Sequence, residues 1–518
     1  MSEPPVAPTR EDPVAASLSA RIGGRYGEHG SPHWWWTPVR VVLACVAVVF
    51  ALGMVQHAPC MDTHWNSSSV RYSKMCYSDI PYLYTGRGFA EQHWPYAASS
   101  RYPAMEYPVG ISYLAWFASA LTAIEPQGPP ENLRAAASVA DLWGLPGMAS
   151  EINENFVITA LLLLGLALVA AYFLARTHRG RPWDALPFAL SPVLLMTGLI
   201  NWDLLAVACV AGALFAWSRQ RSLLAGIFVG LGTASKLYPL FLLGVFLVLA
   251  LRAGPDRRDR VRAFALATAG AVGSWVLVNA PAWLGDVSRW TRFWTFNEHR
   301  GADLGSLWLV AQQAGHTVDV HALNLASWLV FGGCCLVVLL IGLRAPATPR
   351  VAQLGYLVVM AFLIVNKVYS PQYVLWLLPL AVLARPRWRD LLIWQACELF
   401  YFAAVWMYLG GWLVAADGSS TPVYSIAIVV RVLGELYLAG RIVRDLWHPE
   451  EDPVTSADLD GVALPTVDGV ALPTVDGVAL PIVDGVALPI VDGVEGGGGV
   501  PHAHADLAAD GGHLGAGG

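Results

Sequence analysis

The sequence predicts an all-α fold, a polytopic bundle of membrane helices with a helical module on the outer side after the first span. Three observations predict it. The 518 residues are 56% hydrophobic and only 14% charged, with a mean hydropathy of +0.50, outside the balance of a soluble domain of this size. The apolar residues come in blocks of about 15 to 23 separated by short polar turns, and a bilayer core takes roughly 20 apolar residues per helical crossing. Inside the blocks, as from Leu161 to Ala171 or Val330 to Leu343, apolar residues run without the two-residue alternation of a barrel strand. About twelve spans follow. The net charge of -6 says little, because acids collect in loops and tail while arginines collect in particular short loops.

In chain order, residues 1–33 are rich in Pro, Gly, Ala and charge and carry no apolar core of a secretory signal. They read as a disordered cytoplasmic tail, and the first span, roughly residues 41–56, as an uncleaved anchor. The transmembrane domain occupies residues 34–446, and residues 57–155 within it form the exterior module. That module contains Cys60 and Cys76, and an oxidising compartment favours a loop-closing disulfide that would brace it. Residues 107–124 are apolar enough to cross, but a crossing there would push the arginine-rich loop 176–181 outside. The segment therefore reads as a juxtamembrane or re-entrant helix. Short loops rich in Arg stay cytoplasmic, which assigns 176–181, 219–221, 252–262, 344–350 and 385–389 to the inside, with Arg441 and Arg444 after the last span. The segments around Asn201, 282–321, 366–372 and 411–422 are then exterior, and both termini cytoplasmic. Cys45, Cys209, Cys334, Cys335 and Cys397 fall within apolar spans, where a thiol is a small hydrophobe. The tail, residues 447–518, repeats DGVALP(T/I)V from Asp460, Asp468, Asp476 and Asp484; Pro and Gly in every unit predict disorder.

Polar residues at membrane edges and in long exterior loops are where chemistry is sought in such a chain. Residues 71–89, RYSKMCYSDIPYLYTGRGF, set Asp79 among Tyr77, Tyr82 and Tyr84, with Arg87 following. Aromatics beside one carboxylate suit a sugar, although an interfacial aromatic belt has the same composition. Residues 102–110, YPAMEYPVG, place Glu106 just before a helix whose first turn Pro108 suits, so Glu106 fits either a macrodipole-favoured acid or a base. In WTRFWTFNEHRGADLGSLW, residues 290–308, His299 and Arg300 stand among Trp and Phe. Such a pair can hold a phosphate, or can form the basic edge of an amphipathic helix. Two polar breaks remain, NWD with Asp203 and NKVYSPQY with Lys367, Tyr369 and Gln372, together with Lys236 in ASKLYP. Lys236 lies at the outer tip of a hairpin with arms of about 14 residues, which need not cross fully. Both lysines can also snorkel to the interface. Glu398 lies inside a span, as do Arg431 and Glu435, whose four-residue spacing fits a structural ion pair. No cluster has metal-ligand spacing, so neither metal nor cofactor is expected, and no nucleic-acid partner.

In order and spacing these segments resemble bacterial membrane glycosyltransferases of the GT-C type, in particular glycosyltransferase family 87, which includes polyprenol-phosphate-mannose-dependent mannosyltransferases of actinobacteria. The resemblance is carried by YSDIPYLYTGRGF, MEYPVGISYLAWF, NWDLLAVACVAGALFAW, LAGIFVGLGTASKLYPLFLL, the HRG step with SLW after it, and NKVYSPQYVLWLLPL, spanning roughly residues 39–444. Residues 125–154 and the octapeptide tail depart from it. The resemblance implies a multi-pass enzyme of the bacterial plasma membrane that moves a sugar, mannose first, from a polyprenyl-phosphate donor to an envelope glycan or glycolipid on the outer face, by inverting displacement. It implies Asp79 as base with Glu106 the alternative, and His299 as phosphate contact or proton partner. Arg300, Lys236 and Lys367 would bind the donor phosphate, and Tyr82, Tyr84, Arg87, Asp203, Tyr369 and Gln372 would line the substrates. The implied partners are the bilayer, the lipid-linked donor and the acceptor. The rival class, a transporter or lipid flippase, would show symmetry between halves; the exterior module has no counterpart in the second half.

Overall fold

A computed structural model describes residues 35–178, 180–414 and 422–454, with short paired stretches between 466 and 487. The expected tail at 1–33 and most of that at 447–518 lie outside the described residues. The first helix, α1 (Pro38–Asp62), starts where Pro38 fixes its first turn and the Thr37 hydroxyl accepts the Arg40 amide. Its far end is tied by a disulfide from Cys60 to Cys76, with Cα atoms 5.9 Å apart. The module then folds as α2 (Ser68–Ser73), α3 (Asp79–Gly86), α4 (Val109–Thr122) and α5 (Glu131–Ala136), and the chain returns through α6 (Met148–Thr177). There follow α7 (Leu186–Ala189), α8 (Pro192–Thr197), α9 (Leu204–Ser218), α10 (Ser222–Ser235), α11 (Phe241–Leu251) and α12 (Arg257–Gly285). The second half holds α13 (Val287–His299), α14 (Leu307–Gln313), α15 (Val320–Arg344), α16 (Val351–Val365), α17 (Val374–Ala384), α18 (Trp388–Leu409) and α19 (Pro422–Trp447).

Five of these helices, α1, α6, α12, α15 and α18, are long and apolar enough to cross a membrane. The expectation of about twelve equivalent spans is thereby refined: the remaining apolar helices are shorter. At 11 to 15 residues, helices α9, α10, α11, α16 and α17 extend only about 16–23 Å, against a hydrocarbon core of about 30 Å. The same holds for α4, whose 14 residues cover about 21 Å. Their ends, where backbone leaves the helix, must find partners inside the protein. Glycine makes one packing possible: a Cβ on Gly226 would stand 1.9 Å from the Ala267 carbonyl oxygen, and one on Gly230 2.2 Å from that of Ala271. This small-xxx-small pair lets α10 and α12 touch backbone to backbone.

The arginine-rich loops converge at one end of the bundle. Arg219 donates to the Arg176 carbonyl at 2.6 Å, and Arg252 to those of Gly342 and Ala345. Arg350 reaches the Ala384 carbonyl, 2.7 Å away, and Asp452. Arg385 is buried between Asp390, at 2.6 Å, and Asp445. Asp452 lies in residues 447–454, which the sequence assigned to the tail; they pack against α16 instead, because Asp452 supplies the carboxylate for Arg350 and accepts from Gln353.

At the other end the module is held by buried polar contacts. Glu151 takes two hydrogen bonds of 2.6 Å from Arg134, one from the Tyr84 hydroxyl at 2.6 Å and one from the Gly128 amide at 2.8 Å. Residues 125–154 thus close over α3. Beyond the bundle, three antiparallel two-residue pairs are described: Thr466–Val467 with Val470–Ala471, Thr474–Val475 with Val478–Ala479, and Ile482–Val483 with Val486–Ala487. The sequence step between partners is Asp-Gly each time, the pair favoured by two-residue hairpins.

Gly226→Val should destabilise the protein by about 3 kcal/mol, read as a lowered unfolding temperature in detergent. Gly273→Val on α12, where a Cβ meets nothing within 4 Å, should leave that temperature unchanged.

Candidate active site

The short helices bring their polar tips together. Between α8 and α9 the Asn201 side chain accepts the Asp203 amide at 2.9 Å, which fixes the turn that opens α9. Asp203 is fully buried, and its carboxylate accepts from the Trp376 indole of α17 at 2.9 Å and pairs with the Lys236 ammonium at 2.8 Å. Lys236 ends α10, and its ammonium also lies 4.6 Å from the Tyr107 ring centre and 5.7 Å from those of Tyr373 and Trp376. Three tips, at Asn201–Asp203, Lys236 and Tyr373–Trp376, therefore meet around one cation.

The module lays Asp79 against them. Ser78 caps α3 by accepting the Ile80 amide, and its hydroxyl and the Asp79 amide both donate to the Ile200 carbonyl, at 3.1 and 2.8 Å. Asp79 is thus seated on the turn preceding Asn201. Its two carboxylate oxygens accept the Tyr77 hydroxyl at 2.9 Å and the Tyr107 hydroxyl at 2.6 Å. Tyr107 is brought there by the approach of α4 to α10, so tight that a Cβ on Gly110 would lie 2.4 Å from the Ser235 hydroxyl. Burial pushes the Asp79 carboxyl above its ordinary range; the Tyr107 and Tyr77 hydrogen bonds and the Lys236 charge pull it down, and the Asp203 charge raises it. The net displacement is upward, the direction that makes a carboxylate a stronger proton acceptor.

A further pair of cations stands beside this cluster. The loop after α13 and the loop before α17 join by backbone hydrogen bonds, Asp303 amide to Lys367 carbonyl at 2.8 Å and Tyr369 amide to Leu304 carbonyl at 2.7 Å. Arg300 pairs with Asp303 at 2.7 Å. The Lys367 ammonium meets only neutral oxygens among the described residues, the Asn324 side chain at 2.5 Å and the Glu298 carbonyl at 3.3 Å. Burial and then the Arg300 charge hold Lys367 below the usual lysine range. Tyr373 lies within electrostatic reach of Lys236, Asp203, Arg300 and Asp79, which links the two clusters. The helix leading to Arg300, α13, is latched to the module by Arg289, whose guanidinium donates to the carbonyls of Pro95 at 2.7 Å and Tyr102 at 3.0 Å.

The remaining expected site residues lie elsewhere. Glu106 gives both oxygens to Arg87, one at 3.0 Å, so this acid and this proposed lining residue form an ion pair rather than a second base. His299 is exposed at the end of α13, its Nδ1 2.7 Å from the Thr295 carbonyl. Tyr82 donates to the Trp65 carbonyl at 2.8 Å and stacks on Tyr77 and Trp143, while Tyr84 is spent on Glu151. Tyr369 is a correction to the expected lining: it is wholly buried, donating to Glu398 at 2.9 Å under the Arg431 guanidinium, because its side chain points between α18 and α19. Gln372 is buried too, accepting from Ser370 at 2.7 Å. Residues the sequence did not single out for the site are Asn201, Tyr107, Tyr373 and Trp376; Tyr77 was noted only as a neighbour of Asp79. Among the described residues no group of three His, Cys, Asp or Glu side chains is arranged to hold a metal.

Lys236→Met should cost about 3–5 kcal/mol, because it leaves Asp203 buried with an unpaired charge. The double variant Lys236→Met/Asp203→Leu should recover much of that loss, as read by unfolding temperature.

No curated protein matches the chain. The family model that does match, over residues 109–366, covers the segment from α4 through the Lys236 tip and the Arg300 loop to the start of the Lys367 loop. Over those residues the chain belongs to glycosyltransferase family 87, and it is a membrane glycosyltransferase.

Proposed function

We propose that this glycosyltransferase moves a sugar, mannose first by the family resemblance, from a polyprenyl-phosphate donor to an envelope glycan or glycolipid. In this reading the tips that carry Asp79, Lys236, Arg300 and Lys367 face the outer side of the bacterial plasma membrane, and the arginine-rich end faces the cytoplasm. The observation that carries it is Asp79, held by two tyrosines, beside the Lys236–Asp203 pair, with Arg300 acting on the neighbouring Tyr373 and Lys367 beside Arg300. Asp79 is partly exposed and oriented, and Lys236 and Arg300 both act on Tyr373 beside it.

The chemistry runs as a single displacement. The acceptor hydroxyl oxygen attacks the anomeric carbon from the face opposite the phosphate while its proton passes to the Asp79 carboxylate. The bond from the anomeric carbon to the phosphate oxygen breaks, and its electron pair leaves with the lipid phosphate. Products are the lengthened glycan with inverted configuration and polyprenyl phosphate. Charge growing on the departing phosphate is offset by Lys236, Arg300 and Lys367, cations already fixed by protein contacts and needing little rearrangement. His299, exposed and paired with no acid among the described residues, is available to a bound phosphate or sugar.

In this reading the donor's lipid would lie in an apolar groove. An apolar groove of about 350 Å³ runs between α11, α15 and α16, lined by Phe241, Val245, Val248, Phe331, Cys335 and Val338. Its rim at Leu240 and Phe241 is one helical turn past Lys236. A phosphate near Lys236 and a hydrocarbon chain in the groove would be parts of one molecule.

Asp79→Asn should lower transfer from a labelled polyprenyl-phosphate sugar to native envelope acceptors at least about a hundredfold, with unchanged insertion and unfolding temperature. Transfer at the parental rate would remove Asp79 as the base.

A further inference from the structure

The tyrosines on Asp79 raise a question that the displacement leaves open: what aims the base. A carboxylate offers four lone-pair directions and rotates freely unless held. Here Tyr77 and Tyr107 take one oxygen each, at 2.9 and 2.6 Å, from opposite sides in sequence. The Tyr107 hydroxyl is itself directed. The Asn201 amide donates to the same phenol oxygen at 3.3 Å, which occupies a lone pair and leaves the hydroxyl hydrogen for Asp79. Lys236 sits over the Tyr107 ring and Trp202 meets it edge-on, with centroids 6.0 Å apart, so the ring is clamped on two sides.

We propose that Tyr107 is the positioning residue of the base: with Asn201 behind it and Tyr77 opposite, it fixes the plane of the Asp79 carboxylate and leaves one lone pair on each oxygen open to an acceptor hydroxyl. This rests on the reading of Asp79 as the base. It also accounts for the YP step, since Pro108 caps α4 and sets the chain direction from which Tyr107 reaches back to the module.

The groups acting on Asp79 come from every packed element: Tyr77 from its own segment, Tyr107 from the start of α4, Lys236 from the end of α10, Asp203 from the start of α9, and Tyr373 from before α17. Of those that favour the ionised form, the Tyr107 hydrogen bond is the largest and the Tyr77 bond the next. Removing a donor to a carboxylate favours its protonated state, so the base needs a higher pH to act.

The test is the pH dependence of kcat/KM for sugar transfer by the full-length protein in membranes. Tyr107→Phe should move the acid limb of that profile to higher pH by about one unit, with activity recovering as pH rises. Tyr77→Phe should move it less, and Asn201→Ala should move it in the same direction through Tyr107. An unshifted acid limb, with activity lowered equally at every pH, would overturn the proposal and leave Tyr107 a packing residue. If Asp79→Asn retains transfer, the reading of the base fails instead; if Asp79→Asn is inactive and Tyr107→Phe is unshifted, only the positioning role fails.

Discussion

Backbone that leaves a helix within a bilayer must be hydrogen-bonded by protein, and the contacts among Asn201, Asp203, Lys236 and Trp376 follow from that requirement. Helices α9, α10, α11, α16 and α17 are too short to cross, so their ends fall inside the bundle. Those ends carry Asn201, Asp203, Lys236, Lys367 and Tyr373. The charges cannot be left solitary in such surroundings, and the Asp203–Lys236 pair, closed by the Trp376 indole, is how the tips satisfy one another. A cluster of fixed charges is the outcome, and the module of residues 57–155 then needs only to dock onto it.

Docking is achieved at backbone carbonyls, that of Ile200 on one side and those of Pro95 and Tyr102, which accept from Arg289, on the other. The Asp79 amide and the Ser78 hydroxyl share the Ile200 carbonyl, so the acid is registered to the same turn that orients Asp203. The disulfide from Cys60 to Cys76 ends three residues before Asp79 and limits how far that segment can swing. The Glu151–Arg134–Tyr84 network braces the other side of α3. Three independent restraints thus meet on residues 76–84 and hold Asp79 in place.

Much of this architecture was legible in the sequence, because membrane helices and arginine-rich loops follow from apolar block length and charge position. The grouping of the Arg176, Arg252, Arg350 and Arg385 loops at one end follows the charge pattern, and the hairpin tips at Lys236 and Asn366–Gln372 are visible as polar breaks. What was not legible depends on contacts between distant residues. Glu106 reads as a free acid until Arg87, 19 residues away, is found on it. Within NKVYSPQY, Tyr369 and Tyr373 are equivalent in composition; only the packing of α18 and α19 turns the first inward and the second toward Lys236. Residues 125–154 look like an acidic surface insertion, yet Glu151 is buried because Arg134 and Tyr84 meet it.

In the proposed reaction sugar and phosphate bind between Asp79 and the Lys236, Arg300 and Lys367 cations. Its most direct test is an experimental structure of the Asp79→Asn protein in lipid with an intact polyprenyl-phosphate sugar bound. The account predicts the phosphate within hydrogen-bond distance of at least two of those cations, the anomeric carbon facing position 79, and the lipid chain along α11 and α15. A phosphate seated at the arginine-rich end of the bundle, or a sugar turned away from position 79, would contradict it.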